Sequence, residues 1–188
     1  MDRDGTEDAR IFPMPPFAYP HWKSYPVNRP APEWAEGVLT SFRNTKKAID
    51  SIENHGVSSN EALAALRPEL EELGFQIEKG PNRISRPVLF KENGGVEIEY
   101  RVDGFHPDHG IVLEVEAGRG AANNADYRDL VRTSLMVDSK FLVLAMMIEY
   151  RGGGQTTRSF ENARKRLDAI YASDRLKLPL DGILLIGY

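Results

Sequence analysis

Residues 141–148 read FLVLAMMI, eight apolar positions without a polar break. A half-exposed strand alternates apolar and polar, so a run with no polar face belongs to a strand covered on both sides. It is also far short of the roughly 18 apolar residues that would suggest a membrane span. Gly182 and the apolar residues 183–186 repeat the pattern near the end of the chain. Two such strands require helices on both faces of one sheet, and the segments between them supply candidates.

Pro32 stands at the entrance of a segment reaching about Asn54, in which Trp34, Val38, Phe42, Ala48, Ile49 and Ile52 give an imperfect amphipathic helix. Ser58, Ser59 or Asn60 can cap the next helix, which carries Leu63, Leu66, Leu70 and Leu73 at helical spacing and stops at Gly74. Pro68 within it predicts a kink or a break. Residues 124–137 read as a helix with Tyr127, Leu130, Val131, Ser134 and Leu135 inward, and Phe160, Ala163, Leu167 and Ile170 mark another. The Gly-rich residues 152–154 read as a flexible link.

Between the helices the period changes to two. Val96, Ile98, Tyr100 and Val102 alternate with Glu97, Glu99, Arg101 and Asp103, and Ile111, Leu113 and Val115 alternate with Val112, Glu114 and Glu116. With residues 104–110 as the turn, these segments predict a β-hairpin. Residues 87–90 form a short strand ahead of it, followed by a turn over 91–95. The expected architecture is α/β, a mixed central sheet flanked by helices, formed by residues 33–188.

Residues 1–32 are a different kind of segment. They hold seven of the twelve prolines, which forbids a continuous helix or a central strand. They also hold Phe12, Phe17, Tyr19, Trp22 and Tyr25, too many aromatics for a solvated linker. The expectation is an extended arm packed on the body or on a second subunit. The acidic, polar start of the chain lacks the basic and apolar stretches of a secretory signal, so the cytoplasm is the expected compartment. Cysteine is absent, which excludes disulfides, thiolate metal sites and cysteine nucleophiles. A net charge of −4 gives no overall positive field, and a nucleic-acid partner would have to be met by a local patch.

Asp103, Glu114 and Glu116 fall on adjoining strands, and Glu114 and Glu116, two apart, share a face. Packed carboxylates raise one another's pKa and destabilise a fold unless a divalent cation neutralises them. Oxygen ligands without cysteine suit Mg²⁺, which takes one or two carboxylates and keeps waters for a phosphate. The opposing reading is a solvated polar strand face, which accounts well for Glu97 and Glu99. For the other three it must explain charge on a strand whose neighbours Leu113 and Val115 are apolar.

Asp103, ten residues, then Glu114-Val115-Glu116-Ala117-Gly118 resembles the catalytic signature of the PD-(D/E)XK, or restriction-endonuclease-like, nuclease superfamily. The resemblance runs over about residues 60–150 and implies that fold, with Asp and Glu on neighbouring antiparallel strands holding Mg²⁺ or Mn²⁺. Two positions depart from the pattern: Val102 stands where a proline precedes the Asp, and Glu116 stands where Lys is usual. Some similar type II restriction enzymes carry Glu or Gln there. The resemblance implies that Asp103 bridges metal and scissile phosphate, that Glu114 and the Val115 backbone carbonyl complete the ligands, and that Glu116 orients or deprotonates water or holds a second metal. Related nucleases often place one more acidic ligand on the preceding helix, for which Glu72 or Glu69 are candidates, although Glu69, Glu71 and Glu72 read first as a solvated helix face. A DNA endonuclease of this kind implies a homodimer that reaches both strands. The alternative is an inactive nuclease-fold protein serving as a binding or assembly module, the missing Lys marking lost turnover.

Arg119, Arg128 and Arg132 follow the carboxylates and are candidate phosphate or DNA clamps, with pairing to Asp126 and Asp129 as the competing role. Arg158, Arg164, Lys165 and Arg166 form the densest basic cluster. His106-Pro107-Asp108-His109 offers metal-ligand types but reads better as turn chemistry.

Overall fold

The computed structural model describes residues 18–118, 124–152 and 154–188. Among them, ten strands and four helices run β1 His21–Tyr25, α1 Trp34–Ile49, α2 Ser59–Glu72, β2 Gln76–Ile77, β3 Ile84–Phe90, β4 Val96–Val102, β5 Gly104–His106, β6 Ile111–Glu116, α3 Ala125–Leu135, β7 Phe141–Met146, β8 Tyr150–Gly152, β9 Gln155–Thr157, α4 Ser159–Ser173 and β10 Gly182–Gly187. Six strands form a mixed sheet in the order β1-β10-β7-β6-β5-β2. β6, β7 and β10 are parallel, and β1, β5 and β2 add antiparallel neighbours.

The apolar runs lie at the centre, as their composition demands. Along β7 and β10 alternate side chains face opposite layers: Val143, Ala145, Leu184 and Ile186 meet α1 and α2 through Phe42, Leu66 and Leu70. Leu142, Leu144, Ile183 and Leu185 meet α3 and α4 through Leu130, Phe160, Ala163 and Leu167. No helix of the described residues is long and apolar enough to cross a membrane.

Several local expectations are corrected. α1 ends at Ile49 rather than near Asn54, because the Asp50 side chain accepts the Ile52 N–H at 2.9 Å and turns the chain. α2 is capped by Ser58 with Glu61 in a reciprocal capping box and runs unbroken through Pro68. The period-two segment 96–102 does not pair with 111–116. β4 pairs with β3 in a separate two-stranded ribbon, and the chain continues through Asp103 into β5, which forms the hairpin with β6. The strand therefore begins inside the segment expected to be turn, leaving 107–110 as the connection. Residues 150–157 form a small hairpin, β8–β9, in place of a link, Gly153 lying outside the described residues.

The arm's residues 1–17 also lie outside the described residues, while β1 is an edge strand bounded by Pro20 and Pro26. It pairs antiparallel with β10, and its Tyr25 is buried against α4.

α3 is turned differently from its apolar pattern. Tyr127, Val131 and Leu135 are exposed, and the buried face is Ala125, Asp126, Asp129, Leu130 and Thr133. Polar anchors account for this orientation. Asp126 accepts two hydrogen bonds from Arg166 of α4, at 2.8 and 2.7 Å, and Asp129 is fully buried beside the acidic end of β6. Satisfying two buried carboxylates outweighs the exposure of three apolar side chains, each worth about 1.5–3 kcal/mol at full burial.

Candidate active site

Asp103 occupies the single residue between β4 and β5, the point where the chain leaves the ribbon and enters the central sheet. Gly104 follows it because β2 passes closely: a Cβ there would stand 2.7 Å from the Ile77 side chain and 3.2 Å from the Gln76 carbonyl. Across the hairpin, Gly104 pairs with Leu113, so Glu114 follows one residue later on β6. Asp103 is fixed by its own contact, its carboxylate accepting the Val115 backbone N–H at 2.8 Å. That bond ties the approach to β5 directly to the strand carrying Glu114 and Glu116.

The parity of β6 then sorts the side chains. Ile111, Leu113 and Val115 face α1 and α2, which sends Glu114 and Glu116 to the layer of α3. Glu114 is 5% exposed, and its Oε1 is buried without a hydrogen-bond partner. Glu116 is paired with Arg128 of α3. Arg128 also donates to Asp129 at 3.0 Å, and Arg132 lies 3.6 Å from the same carboxylate. Arg132 reaches back to the Arg101 carbonyl and stands over the Tyr100 ring, 5.4 Å from its centroid. Tyr188, buried on the opposite face, donates to the Glu116 carbonyl at 3.1 Å and so fixes the end of β6.

Asp103, Glu114, Glu116, Arg128 and Arg132 line one cavity of about 320 Å³, together with Glu78, Arg83 and Arg101. Burial raises the pKa of Asp103 to about 6, helped by Glu78 and Asp129 and opposed by the Val115 N–H and Arg132. Burial also raises Glu116 to about 7, with Asp129 reinforcing it and Arg128 opposing it. Glu114 is driven well above the carboxylate range by burial and then by Asp103 and Asp129. The cavity thus sets four carboxylates, Glu78, Asp103, Glu114 and Glu116, among four arginines, and burial more than net charge is what raises the pKa of the three buried acids.

The acids share this cavity without forming a finished cage: among the described residues, no three His, Asp or Glu side chains are arranged to hold a metal ion. The Asp103 carboxylate is engaged by a backbone N–H and Glu116 by Arg128, which leaves the Glu114 oxygen as the open acceptor. An orphaned carboxylate oxygen at this depth suits a proton or a cation.

Of the other candidates, Arg119 lies outside the described residues. Glu72 is exposed and is not among the residues lining the cavity, and Glu69 is engaged by Asn44 at 2.8 Å. α2 directs Leu63, Leu66 and Leu70 to the core, so the acid that reaches the cavity is Glu78, just beyond β2 and paired with Arg83. The His106 ring donates to the Leu73 carbonyl at 2.8 Å and packs on Phe75, a structural tie between β5 and the end of α2.

The pairing of Arg128 and Arg132 with Asp129, weighed in the sequence against a phosphate-clamping role, is present, and the acid that sequence reasoning did not single out is Glu78. Comparison of the chain with protein-family models, with curated proteins and with solved structures gives no significant match in any of the three.

Proposed function

We propose that the chain is a Mg²⁺- or Mn²⁺-dependent nuclease of the restriction-endonuclease-like type, hydrolysing phosphodiester bonds in DNA. The observation that carries this reading is the buried, unpartnered Glu114 oxygen in one cavity with Asp103 and Glu116. Burying a third carboxylate beside two others costs stability, and a binding role for a hard cation is the simplest return on that cost. Supporting it are the antiparallel pairing of β5 with β6, the helix α3 after them and the apolar strand β7 next in order.

In this reading Asp103, Glu114 and the Val115 carbonyl would hold the ion, and the chemistry it would supply there is Lewis-acid stabilisation of charge on the phosphate. Glu116, with its pKa near 7, accepts the proton of the attacking water. Arg128 and Arg132 sit on the rim of the same cavity and contact non-bridging phosphate oxygens. Arg128 would give up Glu116 to do so, which frees that carboxylate for water. A homodimer acting on both strands of a duplex belongs to the same proposal.

The test is a plasmid-nicking assay across Mg²⁺, Mn²⁺ and Ca²⁺, with calorimetry of each ion on the metal-free chain. The expected result is nicking that requires Mg²⁺ or Mn²⁺ and stops on chelation. Ion binding without nicking on any DNA substrate would leave instead the inactive binding module, in which the Glu116–Arg128 pair is permanent.

A further inference from the structure

The cavity that holds the acids draws on both helical layers of the sheet. Arg128 and Arg132 reach it from α3, while Ser59 reaches it from α2 on the opposite face. Ser59 is the first residue of α2, and among the described residues no other position of that helix lines the wall, so α2 meets the cavity with its N-terminal end. Glu78, Arg83 and Arg101 stand on the same wall. Alternation along β4 assigns Arg101 to this side: Tyr100 carries Arg132 of α3 on its ring, so the neighbouring Arg101 faces away from α3. The acids therefore lie between two walls, α3 on one side and the end of α2 with β4 on the other.

Pairing within the cavity leaves two remainders of opposite sign. Glu78 is paired with Arg83, Glu116 with Arg128, and Arg132 lies 3.6 Å from Asp129. Asp103 accepts the Val115 N–H. Glu114 keeps one oxygen without a partner at 5% exposure. Arg101 forms no ion pair among the described residues, and only its carbonyl is engaged, by Arg132. Ser59 adds donors beside that free guanidinium. The helix is capped by Ser58, whose hydroxyl accepts the Glu61 N–H at 3.3 Å, and Glu61 turns its carboxylate back onto Ser58 at 2.9 and 2.7 Å. The hydroxyl and N–H of Ser59 are left unused by that box and by every other partner among the described residues. An amide and a hydroxyl at the positive end of a 14-residue helix, next to an unpaired guanidinium, favour an anion. The lone buried carboxylate in the same cavity favours a cation. A ligand that brings both satisfies both, and a phosphate chain with its divalent ion is such a ligand.

We infer that Ser59 and Arg101 bind the phosphate next to the scissile one, across the acids from Arg128 and Arg132, so that the substrate is a polynucleotide strand laid between the two walls rather than a lone phosphodiester. The inference rests on the nuclease reading for the reaction at the acids. It divides the arginines of the cavity: Arg83 holds Glu78, Arg128 and Arg132 serve the reacting phosphate, and Arg101 serves its neighbour.

The experiment measures anisotropy of a labelled duplex oligonucleotide in Ca²⁺ with wild type, Ser59→Ala, Ser59→Asp and Arg101→Ala. It adds hydrolysis in Mn²⁺ of plasmid DNA and of bis(p-nitrophenyl) phosphate, a diester without a neighbouring phosphate. Thermal unfolding checks each fold. Ser58 keeps the cap in both Ser59 variants, and an acid in the first turn suits the helix dipole. Ser59→Asp is therefore expected to unfold no lower than wild type while weakening DNA binding about 10-fold or more, and Ser59→Ala to weaken it about 3-fold. Arg101→Ala should lower the slope of log affinity against log salt by about 0.9, the share of one duplex phosphate contact. Ser59→Asp and Arg101→Ala should each lose about 10 times more activity on DNA than on the small diester. Folded variants with wild-type affinity and salt slope would overturn the inference and leave the nuclease reading intact. Equal losses on the two substrates would also overturn it, assigning Ser59 and Arg101 to the reacting phosphate itself. Weakened binding in the variants, with neither substrate hydrolysed by wild type, would keep the phosphate contact and remove the nuclease. A wild type that binds no DNA overturns both.

Discussion

At pH 8 and in chelator, Glu114→Gln is expected to unfold at a higher temperature than the wild-type chain, while its metal-dependent nicking falls about 100-fold or more. Glu114 is 5% exposed with one oxygen unpartnered, and it is set against the charges of Asp103 and Asp129. An isosteric amide removes the charge and keeps the shape. The expected gain is roughly 1–3 kcal/mol, from removing a charge disfavoured by burial and by Asp103 and Asp129, at about 1.4 kcal/mol for each pKa unit. For a chain of 188 residues that corresponds to about 2–4 °C per kcal/mol. A carboxylate kept only to support the fold would behave in the opposite way, losing stability when neutralised. The opposed responses of stability and nicking separate a residue retained for function from one retained for packing, and both are read from one purified variant.

The second large effect is on pH. Asp103 and Glu116 have pKa values of about 6 and about 7 in the folded chain, above their ordinary 3.8 and 4.5. The folded state therefore holds these protons more tightly than the unfolded state. As pH rises from about 4 to 7 the unfolded chain releases them first, so its proton count falls below that of the folded chain and folding stability drops. The penalty is absent below about pH 4 and complete above about pH 7. For Asp103 alone it amounts to on the order of 3 kcal/mol. The chelated wild type should thus be more stable near pH 5 than near pH 8. Asp103→Asn/Glu114→Gln/Glu116→Gln should flatten that slope, and the difference between the two chains isolates these acids from every other titrating group. Glu161 and Asp168 carry the opposite sign, lowered by Arg164 in one case and by Lys23 and Tyr25 in the other. Their contribution is lost only as pH falls below the carboxylate range, outside this window. Added Mg²⁺ should restore stability at pH 8, because an ion that binds only the folded chain opposes the same repulsion.

What the sequence made legible follows from which interactions are local. The apolar runs at β7 and β10 declared the central strands, since a strand with no polar face has few places to sit. Ser58, one of three candidate caps, and Gly74 bounded α2, because caps are written within a few residues; the reciprocal bond from Glu61 came only with the structure. Strand pairing was not local: the alternation at 96–102 is correct for a strand, but which strand it pairs with is settled by Asp103 and Gly104 turning the chain away from the ribbon. α3 failed for a related reason. Its apolar residues gave a periodic stripe, while its orientation is set by Arg166 on α4 and by the acids of β6, neither visible in the helix itself. The candidate site was legible in Asp103, Glu114 and Glu116, because strand parity alone puts the two glutamates on one face. Glu78 was not, because it reaches the cavity through tertiary packing.

The most direct measurement is anomalous diffraction from crystals soaked in Mn²⁺ at pH 8, beside crystals of Glu114→Gln treated alike. A manganese peak between Asp103, Glu114 and the Val115 carbonyl, absent from the variant, is the predicted result. Well-ordered carboxylates in the wild-type crystal with no peak among them, and Glu116 still held by Arg128, would contradict it.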